Sequence, residues 1–120
     1  MRHPNVPAEL AEAVEEVART FGLHVGYDAH FDAGNVELSW WSGRKLKRLA
    51  FQPIPNAGIQ VTFLTDTYPL LPKLFRTLRS FIPMFPHMAK TEYRVLGVLD
   101  NSQERARYAE RVRQFVDDAA

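Results

Sequence analysis

The chain has 120 residues, 46% hydrophobic and 24% charged, which fits one globular domain and excludes a disordered or fibrous chain. It has no cysteine, so disulfides, iron–sulfur ligation, zinc knuckles and thiol nucleophiles are excluded. Lys and Arg total 15 against 14 Asp and Glu, so no whole-protein field points to a polyanion partner and any charge argument is local.

The N-terminal stretch "MRHPNVPAELAEAVEEVART" lacks a continuous apolar run of the kind a secretory leader needs, and the expectation is a cytoplasmic protein. Within "PAELAEAVEEVARTFG", Leu10, Val14, Val17 and Phe21 recur at helical spacing and predict the first helix. Pro7 suits its first turn, Asn5 is a nearby cap candidate, and Gly22 offers a left-handed stop.

Alternation of period two then begins, with Leu23, Val25, Tyr27, Ala29 and Phe31 on one side and His24, Gly26, Asp28, His30 and Asp32 on the other. This predicts a half-exposed strand. "DAGN" supplies a hairpin connection, and "NVELSWWS" sets Val36, Leu38 and Trp40 opposite Glu37, Ser39 and Trp41. After Ser42-Gly43, "KLKRLAFQ" predicts a third strand with Leu49 and Phe51 inward and Lys47 at the fringe. Two prolines in "PIPNAG" end it, and "IQVTFLT" resumes with Ile59, Val61 and Phe63 on one side.

Pro72 and Pro83 bracket a short helix over 72–82, because a proline lacks an N–H and disfavours helical geometry at the residue before it. Leu74, Phe75, Leu78, Phe81 and Ile82 share one of its faces, and Lys73, Arg76 and Arg79 lie on the other. At roughly 15 Å it is too short to span a bilayer. Prolines at 83 and 86 keep the exit irregular, which makes Met84, Phe85 and Met88 candidates for an exposed, adaptable contact with a protein partner or a second copy. The alternative is that they fold under the sheet edge.

"EYRVLGVL" is apolar on both parities, the pattern of a strand covered on two faces, and this places it centrally in the sheet. The last helix lies in "DNSQERARYAERVRQFVDDAA", with Asn101 and Glu104 at capping-box spacing and Ala109, Val112, Phe115, Val116 and Ala119 as its apolar stripe. The expected fold is therefore a single α+β domain over 1–120 in the order α-β-β-β-β-α-β-α. An antiparallel sheet of about five strands carries its helices mainly on one face. Whether the fourth strand pairs with the fifth stays open.

For chemistry, His24, Asp28 and His30 share a strand face on which Trp41 of the next strand also points outward, making these four the ligand-binding candidates. Their spacing permits two metal ligands and needs more from elsewhere, so no metal site is assigned. "WWSGRKLKR" sets aromatic beside basic residues, yet charges on a hairpin more often guard an edge, and nucleic-acid binding is not expected. The sequence has no G-x-S-x-G elbow, H-E-x-x-H pair, phosphate loop or G-x-G-x-x-G turn, and no catalytic residue or cofactor is assigned.

The functional expectation is a small non-enzymatic binding or protein-interaction module that self-associates as a homodimer. One alternative is a small-ligand-binding protein or enzyme that uses the His/Asp/Trp face. Another is a peripheral membrane protein that uses the cationic helix 72–82 and its Pro-rich exit.

Overall fold

The computed structural model describes residues 6–28, 35–54, 56–68 and 90–119. Its elements are α1 (Ala8–Phe21), β1 (His24–Asp28), β2 (Asn35–Ser42), β3 (Lys45–Ile54), β4 (Gly58–Thr67), β5 (Lys90–Leu99) and α2 (Arg105–Ala119). The five strands form one antiparallel sheet in the order β1-β2-β3-β4-β5. Every strand thus pairs with its neighbour in sequence, and the fourth does pair with the fifth. The expected helix over 72–82 lies outside the described residues.

Helix α1 begins at Pro7, whose carbonyl accepts the Ala11 N–H at 3.0 Å and whose ring offers no capping acceptor. It ends at Gly22, at φ 68°, where the Leu23 N–H turns back to the Ala18 carbonyl at 2.9 Å. Leu10, Val14 and Val17 are fully buried, and Ala11, Ala13 and Ala18 widen the buried face. Phe21 does not continue the stripe. It is the last helical residue, one step before the left-handed turn, and it is exposed.

Pairing register carries the core across the strands. Val36 faces Phe51, which faces Val61, and Leu38 faces Leu49, which faces Phe63. Leu10, Val14 and Val17 of α1 and Tyr108, Val112 and Phe115 of α2 complete the same cluster. Each such side chain contributes about 1.5–3 kcal/mol by leaving water. Both described helices lie on this side, and the opposite face of the sheet carries the alternate residues.

Lys47 marks where the helical layer stops. Its side chain sits on the helix side opposite Trp40, with Nζ 3.5 Å from the Ala119 carbonyl at the negative end of α2. A helix of 15 residues is about 22 Å long and a strand of ten about 34 Å, so the sheet outruns its described helices. Toward the Lys47 end, Trp40 and Phe63 are half-buried against the core, and Glu92 and Arg94 on β5 are exposed.

Strand β3 continues past the first proline of "PIPNAG", with Pro53 opposite Ile59. The return to β4 depends on Gly58 at φ 97°, because a Cβ there would sit 2.4 Å from the Leu99 carbonyl oxygen.

Two expectations are corrected. Strand β5 is an edge strand and not a central one. Val61 faces Gly97 while Thr62 faces Val95, so Leu96 is an extra residue in a β-bulge. The bulge shifts the alternation, and a shifted alternation reads in sequence as apolar on both parities. Tyr93 and Val95 before it, and Val98 after it, point away from the helices and are 76%, 51% and 58% exposed.

The second correction concerns α2, which starts at Arg105 rather than just after Asn101. The Glu104 carbonyl accepts the N–H groups of Arg107 and Tyr108, both at 3.1 Å. The preceding turn is held from inside the core by Tyr108, which is fully buried. Its hydroxyl donates to the Asp100 carbonyl at 2.6 Å and accepts the Gln103 N–H at 3.2 Å. Burial pushes the Tyr108 phenol above its usual range, the Gln103 N–H opposes this, and Glu9 and Asp100 add to the rise. The expected stripe of Ala109, Val112, Phe115, Val116 and Ala119 is buried throughout.

Candidate functional site

The ligand-binding candidates on the open face come together only in part. His24 faces Ser39, and Trp41 lies two positions further along the same face of β2, so these three residues form one neighbourhood. Asp28 faces Asn35 at the far end of β1, about 13 Å from His24 along the strand. His30 lies outside the described residues. Among the described residues, no three His, Cys, Asp or Glu side chains are placed to hold a metal ion.

Trp41 is 49% exposed, and its ring lies 5.4 Å from that of Tyr68 at an interplanar angle of 46°. The Tyr68 N–H donates to the Arg44 carbonyl at 2.9 Å, which fixes the chain leaving β4 against the β2–β3 turn. One face of Trp41 is therefore committed to an intramolecular aromatic contact.

The basic cluster around it has no common face. Lys45 and Lys47 share the helix side of β3, whereas Arg48 points to the open side. There Arg48 sits between two carboxylates, with Nη1 3.6 Å from Glu37 and Nη2 donating to Asp66 Oδ1 at 3.2 Å. Its Nε is 2.9 Å from Asp66 Oδ2, but the N–H is not directed at that oxygen, so this contact is ionic rather than hydrogen-bonded. Thr91 donates to Asp66 Oδ1 at 2.7 Å. The row ties β2 to β5, with Glu37–Arg48 and Arg48–Asp66 as diagonal neighbours and Asp66–Thr91 directly opposite, and leaves Asp66 buried with its charge matched. Sequence alternation already put Glu37 on that face. Pairing of Arg48 with Asp66 depends on the β3–β4 register, which no local pattern reveals.

The exposed edge was the feature that sequence reading missed. Lys90, Glu92 and Arg94 project from β5 on the side of the described helices, and all three are exposed. Lys90 Nζ lies 3.6 Å from Glu92. Beside them an open concavity of about 230 Å³ is lined by Phe63, Thr65, Glu92, Tyr93 and Arg94. A larger depression of about 650 Å³ lies at the turn into α2, and Asp100, Glu104, Arg107 and Glu110 contribute to its polar wall. The interaction candidates Met84, Phe85 and Met88 lie outside the described residues.

No described helix is long and apolar enough to cross a membrane. No family model, curated protein or solved structure matches this chain.

Proposed function

We propose that this protein is a small non-enzymatic interaction module that self-associates, with the outer edge of β5 as its contact strand. The observation that carries this reading is the exposure of Tyr93, Val95 and Val98 along a ten-residue edge strand without proline. An edge of this kind presents backbone donors and acceptors to any extended partner, and natural sheets usually shorten, cover or break such edges. Strand addition would satisfy those groups and cover the aromatic and branched side chains together.

A small-ligand reading retains one supporting observation, the shared neighbourhood of His24, Ser39 and the exposed side of Trp41. Asp28, at the far end of β1, does not serve as an acidic partner for His24. A cytoplasmic location belongs to the same proposal, and fractionation of cells producing a tagged chain tests it.

Sedimentation equilibrium over a wide concentration range tests the function. Reversible self-association, weakened by Tyr93→Ser with the thermal transition unchanged, supports the reading. A monomer at every concentration that instead retains a small molecule in native mass spectrometry would move attention to Trp41 and His24.

A further inference from the structure

The part of β5 before its bulge reads Lys90-Thr91-Glu92-Tyr93-Arg94-Val95. Its side chains alternate regularly, with Lys90, Glu92 and Arg94 toward the helix side and Thr91, Tyr93 and Val95 toward the open side. Residues directly opposite in an antiparallel pair point to the same face. A two-fold axis perpendicular to the sheet reverses the strand and keeps the faces, so two copies joined along β5 must match residues of like parity. Only registers centred on a residue satisfy this.

Charge separates the registers centred on Glu92, Tyr93 and Arg94, the three that keep the partner strand within the exposed stretch. Centred on Glu92, the pairing sets Glu92 against the partner's Glu92 and Lys90 against the partner's Arg94. Centred on Arg94, it sets Arg94 against the partner's Arg94. Both place like charges directly opposite, which destabilises a strand pair. Centred on Tyr93, it sets Glu92 against the partner's Arg94 and Arg94 against the partner's Glu92. On the open side it sets Tyr93 against the partner's Tyr93 and Val95 against the partner's Thr91. Aromatic pairs and opposite charges are favourable cross-strand neighbours.

We infer that a second copy of this chain pairs with β5 in antiparallel register about Tyr93, held by two reciprocal Glu92–Arg94 contacts. This rests on the self-association reading above and assigns its contact residues.

The helical layer permits that arrangement. Phe115 of α2 lies over Gly97, on the far side of the bulge from Tyr93. In the Tyr93-centred register, Gly97 lies three ladder positions from Tyr93 once the bulge is counted, so Gly97 and the partner's Gly97 fall about 20 Å apart along the strands, with the two α2 helices toward opposite ends of the joint. The sheet ends beyond the described helices meet in the middle. The same charges that would deter pairing in a wrong register favour it in this one. An interface confined to Thr91 through Val95 falls at or below the low end of stable interface sizes, under about 1,200 Å², so the dimer is a weak one.

Charge exchange tests the register on the full chain. Both residues are exposed, so the variants keep the fold, which circular dichroism verifies. Arg94→Glu alone and Glu92→Arg alone should each weaken dimerisation by at least about tenfold, by setting like charges opposite one another twice. The double variant Glu92→Arg/Arg94→Glu should recover the wild-type association. An equimolar mixture of the two single variants should form a mixed dimer that neither forms alone, because the mixture restores opposite charges at both contacts. If both single variants associate like wild type, or if neither the double variant nor the mixture recovers, the register is wrong while self-association stands. If wild type is a monomer up to about millimolar concentration, the self-association reading itself fails.

Discussion

The two edges of the sheet are built differently. Strand β1 has five described residues, and its helix-facing side chains Val25 and Tyr27 pack against the core. The Tyr27 hydroxyl donates to Glu15 of α1, which ties the strand to the helix above it. Strand β5 has ten residues and runs past the described helices. Only Leu96 and Leu99 among its large apolar side chains reach the core, while Tyr93, Val95 and Val98 face water. One edge is anchored to the helix above it. The other is exposed and charged in an alternating pattern, the feature on which the proposed self-association rests.

Several substitutions would sharpen this contrast. Phe51→Ala removes a fully buried ring from the central strand that both edges depend on, and should cost about 3–5 kcal/mol in denaturant unfolding. Gly58→Ala acts on the β3–β4 turn and on the β5 strand beside it. It forces a Cβ to within 2.4 Å of the Leu99 carbonyl and a positive φ on alanine, so a loss of about 3 kcal/mol is expected. Hydrogen exchange in that variant should accelerate in β5 more than in β1; equal acceleration would show that the two edges open together.

Tyr108→Phe keeps the buried ring and removes the hydroxyl that joins Asp100 to Gln103, with an expected cost of about 1–2 kcal/mol. The same group sets an alkaline limit. Its folded pKa is raised above the unfolded value near 10, so its contribution is fully present below about pH 10 and is lost as pH rises through the folded value. Wild type should therefore lose stability there faster than Tyr108→Phe, as urea titrations at several alkaline pH values would show.

The smallest effects on stability bear most directly on the two edges. Tyr27→Phe, on the anchored edge, should cost about 0.5–1.5 kcal/mol and leave assembly unchanged. Tyr93→Ser, on the other, should change stability by less than about 0.5 kcal/mol and weaken self-association. A reversed pattern would mean that β1 is the contact edge.

Much of the fold can be read in the sequence because α1, β2, β3 and β4 each keep one hydrophobic period over most of their length. Val36, Leu38, Leu49, Phe51, Ile59 and Val61 are buried as their alternation predicts. Legibility fails where the period breaks. The bulge at Leu96 made an exposed edge resemble a strand covered on both faces. At α2, capping-box spacing suggested a start at Asn101, while the actual turn is held by Tyr108, a long-range choice of hydroxyl partner with no local signature.

The candidate site divides in the same way. Alternation correctly put His24 and Trp41 on one face, but it could not show that Trp41 leans on Tyr68 or that Arg48 is engaged by Glu37 and Asp66. Those pairings depend on register and on residues far apart in the chain. Edge status is likewise a property of the whole sheet, which is why the β5 surface was not visible in its own sequence.

Amide hydrogen exchange on wild type, compared between dilute and concentrated solutions, tests the central claim most directly. Pairing about Tyr93 predicts that exchange slows with concentration at alternate amides between Thr91 and Val95, whose N–H groups point off the sheet, with β1 unaffected. Self-association that leaves these β5 amides unchanged, or that protects β1 instead, would contradict it.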